Sequence, residues 1–151
     1  MREISVRIVF LLIAAGGGLV IGALTAPGEW YASLSKPWFN PPEWVFAPVW
    51  SLLYLTIAAA GWRTYERDNN GPAMRLWWAQ LVLNFSWSPV FFAAHRPGLA
   101  LAVILLMLLA ILAFVAFSWN RDRVAAWLFI PYAAWVAFAA LLNGSILVPQ
   151  S

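Results

Sequence analysis

The stretch WYASLSKPWFNPP, residues 30–42, holds four aromatic rings (Trp30, Tyr31, Trp38, Phe39) and three prolines (Pro37, Pro41, Pro42). Connections between membrane helices are usually short and polar, whereas proline presets its backbone angle and a cluster of rings favours burial. Such a segment reads as a lid packed over something. Trp and Tyr also collect at membrane interfaces for solvation reasons of their own, which accounts for part of the same composition. Both readings place it at a membrane surface, between two long apolar segments.

Working outward, the chain of 151 residues is 64% hydrophobic and only 10% charged, with a mean hydropathy of +0.78. Soluble domains do not reach such values. The nine basic and six acidic side chains are grouped, leaving five charge-free spans. Each approaches or exceeds the roughly 18 to 20 residues that cross a bilayer as helix. Barrel strands would be about half as long and would alternate. The expectation is an all-α integral membrane protein, a bundle of five transmembrane helices in a single domain, residues 1–151. The helices are placed near 8–26, 45–62, 74–94, 98–120 and 124–147, with the lid loop at 27–43.

If successive loops alternate sides, Arg2, Arg7, Arg63, Arg67, Arg75, Arg121 and Arg123 share one face, against Lys36 and Arg96 on the other. In an inner or plasma membrane this bias puts the N-terminus in the cytoplasm and the lid outside. The expected location is a bacterial membrane. The net charge of +3 comes from these anchoring arginines, with no basic patch suited to nucleic acid. Cysteine is absent, which removes disulfides, thiolate metal sites and redox pairs. Arg2 and Arg7 ahead of an apolar run resemble a signal peptide, but about 19 uncharged residues exceed a signal core, so the run is read as the first helix.

No internal repeat is visible, so the inverted symmetry of many secondary transporters is missing. Gly18 and Gly22 have the small-xxx-small spacing of close helix contacts, either with the run Ala58 to Gly61 of the same bundle or with a second copy. Pro48, Pro89 and Pro131 fall inside spans, where each removes a backbone hydrogen bond and is expected to kink its helix and open room.

The third span holds the strongest intramembrane polar signal: Gln80, Asn84 and Ser88 at four-residue steps, hence on one face. An amide facing lipid is costly, so this face points inward, either tying helices together or presenting hydrogen bonds to a ligand. At about 1.5 Å per residue, Trp50, Asn84 and Trp135 lie roughly 10, 13 and 16 Å below the lid ends of their helices. They converge in depth. Trp44, Trp62, Trp77, Trp78, Trp119 and Trp127 suit an interfacial belt, whereas Trp50, Trp87 and Trp135 are too deep for it. Tyr54 follows Trp50 by one turn on the same face. Indole walls with a few polar groups and an aromatic cover suit a large planar hydrophobic guest; the same rings could simply fill a small core. No catalytic trio can be assembled, and no metal site is expected. The single histidine, His95, near the end of the third helix, reads as interfacial. Haem iron lacks an evident axial ligand, so a tetrapyrrole would be held mainly by its ring face.

The run from Trp30 to Tyr54 resembles the signature of the TspO/translocator protein family, the tryptophan-rich sensory proteins or peripheral benzodiazepine receptors. Asn84, Trp87, Pro89, Phe91 and Phe92, and then Ile130, Pro131, Tyr132, Trp135, Phe138, Ala139, Leu142 and Asn143, extend the resemblance over nearly the whole chain. It implies a five-helix bundle, a homodimer, and a membrane receptor that senses or sequesters porphyrins and other tetrapyrroles, with protoporphyrin or haem as ligand and no obligatory cofactor. Benzodiazepine- or isoquinoline-type drugs are further ligands in such proteins. Carried over residue by residue, the ligand-binding positions are Trp50 and Tyr54; Asn84, Trp87 and Phe91; and Trp135, Phe138 and Ala139, with Tyr31 and Trp38 in the lid. Light-dependent degradation of protoporphyrin and transport of tetrapyrroles are the alternative activities implied. Two departures stand out. Phe39 occupies a lid position where a Trp is usual, and Asn143 is followed by Gly144, Ser145, Ile146 and Leu147, without the aromatic and basic residues of a sterol motif. Cholesterol is therefore a doubtful ligand.

Overall fold

A computed structural model of the chain describes residues 2–25, 28–34 and 36–147. Five long helical rods and one short helix account for most of them. The first rod, α1, runs Arg2–Leu11, passes through a π-helical turn at Leu12–Gly16 and continues as Gly17–Leu24. The short helix α2, Glu29–Ser33, lies within the lid. Then come α3 (Glu43–Arg67), α4 (Pro72–Ser88, extended by a π turn at Pro89–Ala93), α5 (Pro97–Ser118) and α6 (Arg123–Leu147). The expected first-helix end at 26 and lid start at 27 lie outside the described residues.

Among the described residues, four rods are long and apolar enough to cross a membrane by length and composition: Glu3–Leu24, Trp44–Arg67, Pro97–Ser118 and Arg123–Leu147. The remaining rod, α4, carries the polar residues that face inward, and its α-helical part has 17 residues before the π turn lengthens it. The overrun beyond the expected boundaries is largest at the start of α1 (Arg2 against 8) and the end of α3 (Arg67 against 62), because a charged residue ends the apolar stretch but not the backbone hydrogen bonding; α5 stops at Ser118, short of the expected 120.

Around the bundle the neighbours run α1, α3, α6, α5, α4 and back to α1. The core is a continuous packing of Leu53 and Ile57 from α3, Met74, Trp77 and Leu81 from α4, Ile104, Met107, Ile111 and Phe114 from α5, and Phe129, Tyr132 and Val136 from α6. Trp77 is fully buried, and its indole N–H donates to the Ile57 carbonyl at 2.9 Å, so it belongs to this core and not to the interfacial belt. Trp44, Trp78, Trp119 and Trp127 remain exposed at the rod ends.

Of the three prolines, Pro89 opens the π turn at the end of α4, while Pro48 and Pro131 lie within α3 and α6, each leaving one backbone carbonyl of its helix without the usual donor. Gly18 is a point of contact within the bundle: a Cβ there would lie 2.3 Å from the Tyr54 ring, so the α1 backbone passes directly against that ring. Gly22 faces open space.

At the arginine-rich end, Arg7 pairs with Glu66 at 3.3 Å, and Arg63 grips Asp122 through two hydrogen bonds of 3.0 Å. Burial by itself raises the Asp122 carboxyl. The Arg63 hydrogen bond, the Ala125 amide and the charges of Arg63 and Arg67 outweigh it and hold the group below the usual carboxylate range. These contacts bring the ends of α1, α3 and α6 together on one face, as the charge pattern anticipates.

Candidate functional site: an aromatic layer above a polar one

The inward faces of α3, α4 and α6 bring together a polar layer in mid-bundle. Tyr54 Oη donates to Asn84 Oδ1 at 2.9 Å, Asn84 Nδ2 donates to Tyr132 Oη at 2.7 Å, Tyr132 Oη donates to Gln80 Oε1 at 2.7 Å, and Gln80 Nε2 donates to the Trp77 carbonyl at 2.8 Å. Every donor in this chain of bonds points the same way. Each polar side chain satisfies the next, and all four are buried. Ser88, one turn beyond Asn84, bonds instead to Thr25 of α1, whose own hydroxyl is directed at the Ile21 carbonyl.

One helical turn nearer the lid the character changes. Trp50 and Trp135 meet edge to face with ring centres 6.4 Å apart, Phe46 lies 5.8 Å from Trp135, and Phe138 lies 5.7 Å from Trp135 on the same helix. Phe39 of the lid comes down to 6.3 Å from Phe138. Trp50 also contacts the rings of Tyr54 and Tyr132 below it, at 5.6 and 6.5 Å. Among the described residues, the one buried side-chain polar atom with no hydrogen-bond partner is Trp135 Nε1. Leaving such a donor unmade costs on the order of 1–3 kcal/mol, and native structures seldom tolerate it without a reason.

A second aromatic patch sits beside this layer. Trp87 stacks on Phe91 at 5.1 Å, and Tyr31 of the lid helix packs against Phe91 and Phe92 at 6.0 and 5.3 Å. The Trp87 indole N–H is spent on Asn143 Oδ1 at 3.0 Å, while Asn143 Nδ2 reaches the Pro97 carbonyl at 2.8 Å and ties α6 to the start of α5. Lys36 Nζ closes the lid helix by donating to the Tyr31 carbonyl at 2.7 Å, and it sits 4.6 Å from the Tyr31 ring.

Of the ten residues singled out in the sequence, Trp50, Trp135 and Phe138 thus share the aromatic layer, with Ala139 buried nearby, and Tyr54 stands in the polar layer below it. Trp87, Phe91 and Tyr31 share the adjoining patch. Asn84 lies a turn deeper with its amide fully engaged. Trp38 stands at the lid tip, 95% exposed, touching Phe39 but no ring of α3 or α6. Two further participants, Phe46 and Tyr132, were not singled out for the site. Helical spacing carries the signal for both, since Phe46 precedes Trp50 by four residues and Tyr132 precedes Trp135 by three.

Fold and site together define a multi-pass helical membrane protein that presents an aromatic layer, with one unanswered donor, beneath an aromatic lid. Residues 9–148 match the TspO/MBR family model, and the chain belongs to that family. It is 41% identical over 132 residues to a tryptophan-rich sensory protein of Cereibacter sphaeroides, covering 87% of this chain and 84% of that one. Protein CrtK of Rhodobacter capsulatus is 36% identical over 141 residues, covering 91% and 87%. The translocator protein of Ovis aries is 39% identical over 144 residues, covering 89% and 83%.

Proposed function

We propose that the protein is a membrane receptor for porphyrins and related tetrapyrroles, held between the rings of Trp50, Trp135, Phe46 and Phe138 under the lid. The observation that carries this reading is the buried, unpartnered Trp135 Nε1 in a wall made of aromatic rings. A tetrapyrrole supplies what that wall lacks. Its flat faces match the rings, and its ring nitrogens and carboxylates offer acceptors for the indole N–H. Edge-to-face contacts of about 6 Å can part by side-chain rotation, so the guest enters by displacing rings. The polar layer beneath, with Asn84 engaged by Tyr54 and Tyr132, acts as a fixed floor that orients Trp50 and Trp135 without touching the ligand.

The test is a titration of the detergent-solubilised protein with protoporphyrin, followed by quenching of tryptophan emission. Saturable quenching is expected in the parent protein. Unchanged affinity after replacing both Trp50 and Trp135 by Ala would remove the assignment.

A further inference from the structure

The lid helix α2 meets the end of α4 through Tyr31 on Phe91 and Phe92, through Trp30 on Phe91 at 5.6 Å, and through one further pair that includes a titratable ring. The Trp30 indole and the His95 imidazole lie face to face, centres 4.4 Å apart and planes 7° from parallel. His95 occupies an unusual backbone position. Its φ is 56°, and among the described residues it is the one non-glycine residue in the left-handed region. Around it the Ala94 amide bonds to the Pro89 carbonyl at 2.9 Å and the Arg96 amide to the Val90 carbonyl at 3.1 Å, the closure that ends a helix with a left-handed residue and ordinarily selects glycine. A side chain is disfavoured there sterically, and a histidine is present nonetheless. The conformation lays its ring on Trp30.

That ring can change charge where its neighbours respond to charge. His95 is exposed and draws protons directly from the medium. Histidine is the side chain whose ordinary titration falls between pH 5 and 8. A positive charge on that ring meets two partners: the carbonyl end of α4, at which His95 sits, and the electron-rich face of the Trp30 indole. The charged residues nearby are Glu29, which precedes Trp30 on the lid helix and adds to the attraction, and Arg96, which follows His95 and opposes it. Lys36 is turned onto the carbonyls of Tyr31, Ala32 and Leu34. The first residues of α5, Pro97 and Gly98, and the last turn of α6 present no ionisable group.

We propose that the Trp30–His95 stack is a proton-operated latch: the imidazolium holds the lid helix on α4, and loss of the proton loosens it, setting how readily a guest reaches the layer between Trp50 and Trp135. The coupling to entry rests on the ligand site proposed above, whereas the latch itself does not.

The latch is read without ligand, as amide hydrogen exchange of residues 29–34 at pH 7.5 and 5.5 after correction for the intrinsic rate. Wild-type protection should rise about five-fold on acidification, the scale of one exposed cation–π contact. His95→Asn, which accepts the same backbone conformation without titrating, and Trp30→Leu, which keeps apolar bulk, should each show no such rise. Because the chain has one histidine, a histidine-selective label gives a single ring resonance, which should be shifted by the indole and return toward its free position in Trp30→Leu. Equal pH dependence of lid protection in all three proteins overturns the latch. Protoporphyrin entry measured in the same samples should slow at pH 5.5 only in wild type. Absence of quenching in every sample would remove the ligand reading and leave the exchange result standing.

Discussion

Two layers of the same bundle, one turn apart, obey opposite rules. In the lower, Tyr54, Asn84, Tyr132 and Gln80 exchange hydrogen bonds of 2.7 to 2.9 Å until no polar atom is left over. In the upper, Trp50, Phe46, Phe138 and Trp135 meet as rings, and the indole N–H of Trp135 is buried and unanswered. The upper layer stands on α3 and α6, two of the three helices that build the lower one, and what the upper layer lacks is the pair of amides that α4 supplies. A closed set of hydrogen bonds fixes helices relative to one another, since breaking any link strands two polar groups in a low-dielectric interior. An open donor among rings that pack by dispersion alone leaves an exchangeable interior, ready for a guest that brings its own acceptor.

The sharpest way to break this contrast is Asn84→Leu, which removes the central link, leaves the Tyr54 hydroxyl without its acceptor and takes from the Tyr132 hydroxyl the donor it accepts from. We expect a loss of about 3 kcal/mol, visible as a lower thermal midpoint in detergent. Gly18→Val acts on the same layer from behind. The added side chain meets the Tyr54 ring, at a position already 2.3 Å from a Cβ alone, and overpacking of this kind costs about 1–3 kcal/mol. Loss of thermal stability without loss of the Tyr54–Asn84 hydrogen bond, seen in a structure of the variant, would show that the lower layer is not the rigid element.

The upper layer should respond the other way. Trp135→Phe removes the stranded N–H and keeps an aromatic ring, so thermal stability should hold or rise slightly while protoporphyrin affinity falls about tenfold, equal to 1.4 kcal/mol. An unchanged dissociation constant would make the open donor incidental. The smallest effect belongs to neither layer. Asp122 at the arginine-rich end has its carboxyl held below the usual range, so its contribution is present at neutral pH and fades as pH falls through the acid range toward its folded-state value. A melting-temperature series between pH 7 and 3 should decline at its acid end, and Asp122→Asn should flatten that decline. Neither aromatic nor polar layer contains a carboxylate or a histidine, so a decline that survives the substitution has to arise elsewhere.

Much of this was legible in the chain because membranes impose simple rules. Apolar runs between charge clusters announced five rods, and the spacing of Gln80, Asn84 and Ser88 announced that the third would turn its polar face inward. Depth arithmetic put Trp50, Asn84 and Trp135 at similar heights; the two indoles meet, and Asn84 lies a turn deeper. Where reading failed, the cause was lateral. Trp77 lies near a rod end and reads as a belt residue, but its rotation about the helix axis carries it into the core against Ile57.

The sequence by itself determined that the chain crosses the bilayer as helices, which face of α4 is buried, and which tryptophans lie too deep to be anchors, because length, charge and periodicity are properties of one segment at a time. Only the tertiary structure decided what those groups do. Whether Asn84 ties helices or greets a ligand, and whether an indole N–H finds a partner, depends on which side chains arrive from other helices, and that is set by how the rods pack and rotate against one another. Trp87 meets Asn143 and is satisfied; Trp135 meets only rings, and its free donor marks the layer to test.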